Sequence, residues 1–151
     1  MDSSFFFPFI NVEVVNCEKS DVLKLIKEEK FKILRSELTT FELSAKGVKL
    51  VNDGTIEIND LIDGLSTLQH LNSITVIPIY YSEIQILASN FRKEHSDFID
   101  CIILASAVNH SKKFITLDDF LKKKFSDTWK KNLQIKTEFE ILLWDDFRKS
   151  L

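Results

Sequence analysis

The sequence predicts an α/β fold in which βαβ units are arranged around a parallel sheet. Segments with a strand pattern alternate along the chain with segments of helical periodicity, as in proteins built from βαβ units. The segment SITVIP (Ser73–Pro78) is apolar and β-branched, which is typical of a strand buried in a parallel sheet. The apolar helix pattern Phe98–Val108 is followed by a compact strand pattern, Phe114–Leu117.

Length and composition predict one globular domain that spans residues 1–151. Hydrophobic residues make up 44% and charged residues 28% of the chain, and three glycines and two prolines are too few for long linkers. The net charge of −3 gives no global attraction to nucleic acid, although a local basic patch remains compatible with it. We expect no membrane span, because the apolar run Phe5–Ile10 is too short. Cys17 and Cys101 lack metal-ligand spacing, which suits a reducing cytoplasm.

The first half of the chain begins with an ambiguous segment, Met1–Ile10. It is either a strand end that enters a loop or the start of a helix capped by its serines. Asp53-Gly54 predicts a turn between two later helices. Periodicity predicts five regular elements: a helix over Ser20–Glu29, a strand over Phe31–Leu38, a helix over Phe41–Leu50 that ends near Gly47, a helix over Asn59–Leu71 and the strand Ser73–Pro78.

The second half contains the stretch that organises the fold, His95–Phe120. Its buried helix is followed by a short turn, a strand and a pair of acids. Periodicity predicts helices over Tyr81–Glu94 and Asp119–Lys124 on either side, and the alternation of Phe139, Ile141 and Leu143 predicts a last strand. Asp127 is interpreted as an ordinary surface aspartate.

Two acids in this stretch are candidates for one functional site. Asp100 lies in the first turn of the buried helix, where an isolated charge is costly unless it is paired or bound to a cation. Asp118 stands where the following strand ends, and parallel sheets bind ligands at the carboxyl ends of their strands. One acid at a helix start and one at a strand end can therefore face the same crevice.

Three motifs of the chain resemble those of the PIN-domain nuclease family. Asp2-Ser3-Ser4 is similar to the family's opening acid with small hydroxyl residues, and SELTTFEL is similar to its strand-to-helix motif, which ends in a glutamate, here Glu42. The third motif is similar to the family's D-x-x-I-x-A-x-A helix, which is followed by a strand and T-x-D. The matching positions are Asp100, Ile103, Ala105, Ala107, Thr116 and Asp118.

The resemblance implies a three-layer α/β/α sandwich with a central, mainly parallel sheet. It also implies an endoribonuclease that depends on Mg²⁺ or Mn²⁺, as in the toxins of VapBC-type pairs. The partners implied are an RNA substrate, an antitoxin protein and a second copy of the chain. The catalytic residues carried over are Asp2, Glu42, Asp100 and Asp118, with Thr116 orienting a carboxylate; the metal ligands among them are Asp2, Asp100 and Asp118. An all-oxygen ligand set suits these hard cations.

Each of these residues also has a structural interpretation. Asp100 alone would complement a helix dipole, Glu42 alone would be an exposed helix acid, and Asp118 alone would cap the next helix. Asp97 and Asp119 are interpreted as neighbours of the ligands. The three histidines are interpreted as surface or structural residues: His70, His95 and His110. The basic run is either a solvated face or a contact for the RNA backbone: Lys122, Lys123 and Lys124.

One departure from the family pattern concerns the start of the chain. A full strand precedes the first acid in the family, whereas only Met1 does here. Either the first strand is missing from this sequence or Ser3–Phe7 takes its place, and we expect Asp2 near a mobile terminus. An RNA-processing nuclease and a non-catalytic module that binds RNA or protein therefore remain alternatives to the toxin. Apolar residues in Phe5–Ile10 and Ile56–Leu71 predict exposed patches and a homodimer.

Overall fold

The predicted α/β class is confirmed by the computed structural model, which describes residues 1–28, 30–125 and 138–151. Asp127 lies outside these residues. Two compact units are present: an N-terminal unit, Ser3–Pro78, and a C-terminal unit, which combines Met1–Asp2 with Ile79–Leu151. The elements of the N-terminal unit are a 3-10 helix Ser3–Ile10, α1 Lys19–Lys27, β1 Ile33–Ser36, α2 Leu38–Asn52, α3 Ile58–His70 and β2 Ile74–Ile77.

The elements of the C-terminal unit follow the predicted order as far as the last strand, and a helix that was not predicted comes after it. They are α4 Ser82–Phe91, α5 Phe98–His110, β3 Lys113–Thr116, α6 Asp119–Lys124, β4 Glu140–Leu143 and α7 Trp144–Lys149. A single domain over residues 1–151 stays a prediction. No helix in the described part of the chain is long and apolar enough to cross a membrane.

Strands β1 and β2 form a parallel pair in the N-terminal unit, with Ile33 opposite Ile74 and Ser36 opposite Ile77. The prediction that β2 is buried along its length is wrong, because Thr75 and Val76 in its centre are exposed. Within its two-stranded sheet β2 is an edge strand, and only its two terminal isoleucines are buried.

The ambiguous start of the chain forms a 3-10 helix that lies on α3. Every phenylalanine and isoleucine in Phe5–Ile10 is buried, so the prediction that this run forms an exposed patch is wrong. Gly64 allows the close approach, since a Cβ there would lie 2.3 Å from the backbone oxygen of Phe9. The aromatic run Phe5–Ile10 is therefore part of the hydrophobic core of the N-terminal unit.

Helix α2 runs to Asn52 and does not end near Gly47 as predicted. Gly47 lies inside the helix, where a Cβ would lie 2.3 Å from Cδ1 of Leu61 on α3, so this glycine marks a helix contact. The predicted turn at Asp53-Gly54 is confirmed. Gly54 has a φ of 76°, which a residue without a Cβ adopts readily.

In the C-terminal unit, β3 and β4 form a second parallel pair, with Lys113 opposite Glu140 and Thr116 opposite Leu143. Helix α5 packs against α4 and β3, and all its residues from Cys101 to Val108 are buried. The predicted buried helix is therefore confirmed from Cys101 to Val108, whereas Phe98 in its first turn is exposed. Its packing fixes the helix start, where Asp100 lies, relative to the end of β3.

Candidate active site

Asp2 is held along β3 by its backbone and its side chain. The Asp2 N–H donates to the Ile115 oxygen at 3.0 Å, and the Thr116 hydroxyl donates to Oδ2 of Asp2 at 2.8 Å. Asp2 is 8% exposed and Thr116 is fully buried. The expectation that Asp2 lies near a mobile terminus is therefore wrong, because two hydrogen bonds tie it to a strand of the core.

The Thr116 hydroxyl also accepts a hydrogen bond from the backbone N–H of Asp118, at 3.0 Å. One hydroxyl group thereby links the first acid of the chain to the acid that follows β3. Oδ1 of Asp118 caps α6 by accepting from the N–H groups of Phe120 and Leu121, at 2.7 and 3.3 Å. The structural interpretation of Asp118 as a helix cap is thus confirmed, while its Oδ2 has no hydrogen bond to any described residue.

Asp100 lies in the first turn of α5 and is bonded to a histidine. Nε2 of His95 is 3.0 Å from Oδ2 of Asp100, and the Asp100 side chain is 26% exposed. Burial is the largest effect on the pKa of Asp100 and raises it to about 6. The charges of Asp97 and Asp2 also raise this pKa, whereas the hydrogen bond with His95 lowers it. Asp100 and Asp2 are therefore close enough to repel each other when both are ionised.

Asp97, three residues before Asp100, has a structural role at the start of α5. Its Oδ1 accepts from the N–H groups of Ile99 and Asp100, at 2.9 and 3.4 Å, so it caps the helix. Asp119 is exposed in the first turn of α6. Within the described part of the chain, neither residue has a hydrogen bond to the side chain of a candidate ligand, and Asp97 acts on Asp100 through its charge.

Glu42 belongs to the N-terminal unit, and its interpretation as an exposed helix acid is wrong. The residue is 8% exposed on α2, and its Oε1 forms an ion pair of 2.6 Å with Nζ of Lys46. Oε2 of Glu42 is buried and has no hydrogen-bond partner among the described residues. A buried carboxylate oxygen in this state is costly and suits a site that binds a cation.

Two of the three lysines in the basic run on α6 already contact other side chains. Nζ of Lys122 forms an ion pair of 2.6 Å with Asp146, which lowers the pKa of that carboxyl group, and Nζ of Lys124 lies 5.4 Å from the ring centre of Phe120. Lys123 is exposed. Of the three lysines, Lys123 is thus the least engaged by the described residues.

The candidate metal ligands fit a hard divalent cation that keeps much of its water. No group of three or more His, Cys, Asp or Glu side chains lies together in the described part of the chain, so no complete protein cage is formed. Mg²⁺ commonly needs only one or two carboxylates besides water and substrate oxygens. Asp2 and Asp100 interact, and neither Oδ1 of Asp100 nor Oδ2 of Asp118 bonds a described residue.

The structure thus brings four of the predicted residues together within the C-terminal unit: Asp2 and Asp118 through the hydroxyl of Thr116, and Asp100 through its interaction with Asp2. Sequence reasoning missed His95 as part of this site. The available signal was its position five residues before Asp100, just ahead of the helix start, but a lone histidine does not distinguish a contact from a surface residue.

Comparison with protein families identifies one match. A family model described as the PIN domain matches residues 2–124, which include every candidate acid and Lys122–Lys124. A search of curated proteins found no match to the chain.

Proposed function

Because this chain belongs to the PIN domain family, which has a nuclease-type fold and comprises generally metal-dependent ribonucleases, we propose that it is a divalent-metal-dependent endoribonuclease. The observation that carries the proposal is the shared hydroxyl of Thr116, which bonds the carboxylate of Asp2 and the backbone of Asp118. This bond joins the first and last acids of the family motifs beside Asp100. The reaction is hydrolysis of phosphodiester bonds in RNA.

The proposed metal ligands are Asp2, Asp100 and Asp118, and the proposed metals are Mg²⁺ and Mn²⁺. When bound, such an ion lowers the pKa of a coordinated water and offsets negative charge on the phosphate. Thr116 fixes the orientation of Asp2 by donating to its Oδ2. Asp100 is ionised and able to bind a cation above its pKa of about 6.

Glu42 is the fourth proposed catalytic acid, carried over from the family motif. Its support is the buried Oε2, which lacks a partner among the described residues. For the RNA backbone we propose contacts with Lys122, Lys123 and Lys124. Lys123 is the best supported, because Lys122 is already paired with Asp146 and Lys124 lies against Phe120.

Incubation of the protein with structured RNA tests the proposal. We expect cleavage with Mn²⁺ and none with EDTA, and we expect Asp100→Asn to abolish it. Asp63→Asn is the matched control, since Asp63 is an exposed aspartate on α3. Cleavage that persists in EDTA or in the Asp100→Asn variant would refute the mechanism.

The biological role that we propose is that of a VapBC-type toxin, with an antitoxin protein as partner and a cytoplasmic location. Cys17 and Cys101 are buried and are not joined in a disulfide, which agrees with a reducing compartment. An RNA-processing nuclease would use the same chemistry. A small gene adjacent to the gene for this protein, whose product binds the protein and stops cleavage, would favour the toxin. The absence of such a gene would favour the processing enzyme.

A non-catalytic module that binds RNA or protein is the second candidate. The observation in its favour is that the described residues form no group of three or more metal-binding side chains. Calorimetry with Mn²⁺ separates the two. Binding that disappears when Asp100→Asn and Asp118→Asn are combined supports the nuclease, whereas no binding by the wild-type protein supports the module.

We also propose a homodimer, through two residues of the predicted patch Ile56–Leu71, which are Ile58 and Ile62, and two residues of α2. Helices α2 and α3 expose four large apolar side chains: Phe41, Val48, Ile58 and Ile62. Exposed apolar residues in such numbers are typical of interfaces. Light scattering should give a dimer mass at micromolar concentration, and Phe41→Glu combined with Ile62→Glu should give a monomer. A monomeric wild type would remove this proposal.

A further inference from the structure

His95 is fixed in place by contacts that do not depend on Asp100. Its N–H donates to the Phe91 oxygen at 2.9 Å, and its own oxygen accepts from Nη1 of Arg92 at 3.3 Å. The ring centre of His95 lies 5.8 Å from that of Phe120 and 6.3 Å from that of Phe125. These contacts hold the imidazole with its Nε2 next to Asp100, and the His95 side chain is only 10% exposed.

Two other helices show what an acid at the position of Asp100 does when no histidine is present. Asp21 in α1 and Asp60 in α3 each lie three residues after the N-cap, as Asp100 does in α5. Both complete a capping box by accepting from the backbone N–H of the N-cap, Glu18 at 2.9 Å and Glu57 at 3.3 Å.

Asp100 does not follow this pattern. The N-cap of α5, Asp97, accepts from the helix as usual, but the carboxylate of Asp100 accepts from Nε2 of His95. The local sequence thus offers Asp100 the same helix-capping bond that Asp21 and Asp60 make. The N-cap is a glutamate in α1 and α3 and Asp97 in α5, and α5 alone of the three has an imidazole bonded to the acid three residues after its N-cap.

We propose that His95 is a positioning residue that turns Asp100 away from the helix cap and keeps its Oδ1 available for a divalent cation. This inference rests on the proposed function. In this role Nε2 of His95 carries a proton and donates it to Oδ2 of Asp100 over 3.0 Å. Oδ1 bonds no described residue. Hydrogen bonds of this kind to the ligands of a metal fix their geometry, and their loss typically weakens metal binding by about 10–100-fold.

Two substitutions separate the hydrogen bond from the packing of the ring. His95→Phe keeps a ring between Phe120 and Phe125 but has no donor. His95→Gln loses the ring but places an amide N–H where Nε2 lies. The measurement is the Kd for Mn²⁺ by calorimetry, on full-length protein whose fold is checked by circular dichroism. His70→Phe is the control, because His70 is exposed on α3 and its ring bonds the Ser66 oxygen of the same helix.

We expect the Kd for Mn²⁺ to rise about tenfold or more in His95→Phe and to stay within about threefold of wild type in His95→Gln and His70→Phe. Wild-type affinity in folded His95→Phe, or a larger loss in His95→Gln than in His95→Phe, overturns the role of His95. If His95→Phe does not fold, His95→Asn replaces it, since its shorter amide does not reach Asp100, and wild-type affinity there overturns the role equally. No Mn²⁺ binding by the wild type would instead overturn the proposed function.

Discussion

The hydroxyl of Thr116 and the carboxylate of Asp2 form a buried hydrogen bond of 2.8 Å between residues that are 114 positions apart in the chain. The same hydroxyl accepts from the N–H of Asp118. A single side chain therefore supports both acids, and its replacement should affect stability and metal binding together.

Thr116→Val keeps the shape of the side chain and removes the hydroxyl. Because a buried carboxylate loses its donor and a backbone N–H loses its acceptor, we expect the free energy of unfolding to fall by about 2–3 kcal/mol. We also expect weaker Mn²⁺ binding. Urea unfolding and calorimetry measure the two effects. Thr116→Ser retains the hydroxyl and should recover most of both, and wild-type stability and Mn²⁺ binding in Thr116→Val would contradict the role of the hydroxyl.

Asp100→Asn should raise the stability of the metal-free protein. Burial of the ionised carboxylate is unfavourable, as its raised pKa shows, whereas a neutral amide can still accept from His95. We expect a gain of about 1 kcal/mol at pH 7 and loss of the rise in Tm that Mn²⁺ gives the wild type. A loss of more than about 1 kcal/mol would mean that the Asp100–His95 pair is structural.

The effect of Asp100 on stability should depend on pH. Its pKa is about 6 in the folded protein and 3.8 ordinarily, so between these values the folded state binds more protons than the unfolded chain. Ionisation of Asp100 therefore lowers stability as the pH rises from about 4 to 6, and the full cost is present above pH 6. The stability difference between Asp100→Asn and wild type should grow across this window in urea unfolding, and a constant difference would contradict the assignment.

Glu42→Gln should reduce RNA cleavage by about 100-fold or more, because an amide cannot offer a charged oxygen to a cation. Its control is Lys46→Ala, which breaks the 2.6 Å ion pair with Glu42 through a lysine that is 57% exposed. Cleavage by the control should stay within about threefold of wild type, since such pairs contribute little. Rates measured under single-turnover conditions distinguish the variants, and an active Glu42→Gln protein would exclude Glu42 from catalysis.

Gly64→Ala and Gly47→Ala should differ in their effect on stability. A Cβ at Gly64 would meet the backbone of Phe9 at 2.3 Å, and backbone atoms cannot move aside cheaply, so we expect a loss of about 2 kcal/mol or more. A Cβ at Gly47 would meet the end of the flexible Leu61 side chain, while alanine favours the helix, so we expect a loss below about 1 kcal/mol. Thermal unfolding compares the stabilities of the two variants. A larger loss in Gly47→Ala than in Gly64→Ala would contradict the packing of the 3-10 helix on α3.

Sequence patterns predicted the regular elements well because each pattern reflects local chemistry. The all-round apolarity of Phe98–Val108 predicted a buried helix, and the β-branched run at Ser73–Pro78 predicted β2. The position of Asp118 after a strand predicted its role as a helix cap, and its place in an active site stays a prediction.

The misses concern contacts between residues distant in the chain. Gly47 looked like a helix end because the sequence does not show Leu61 against it, and Phe5–Ile10 looked exposed because its packing partner α3 follows about fifty residues later. His95 shows the same limit at shorter range. Its bond to Asp100 depends on the packing of its ring against Phe120 and Phe125, which no spacing rule expresses.

The bond between Asp2 and Thr116 also bears on the order in which the protein matures during synthesis. Thr116 leaves the ribosome 114 positions after Asp2, so the loop between them closes only once the whole intervening segment has emerged. Until then the nascent polypeptide carries Asp2 without Thr116 or Asp118. If these residues form the active site, an incomplete chain has no means of cutting RNA, and the message being translated is protected from its own product until the codon for Asp118 has been passed.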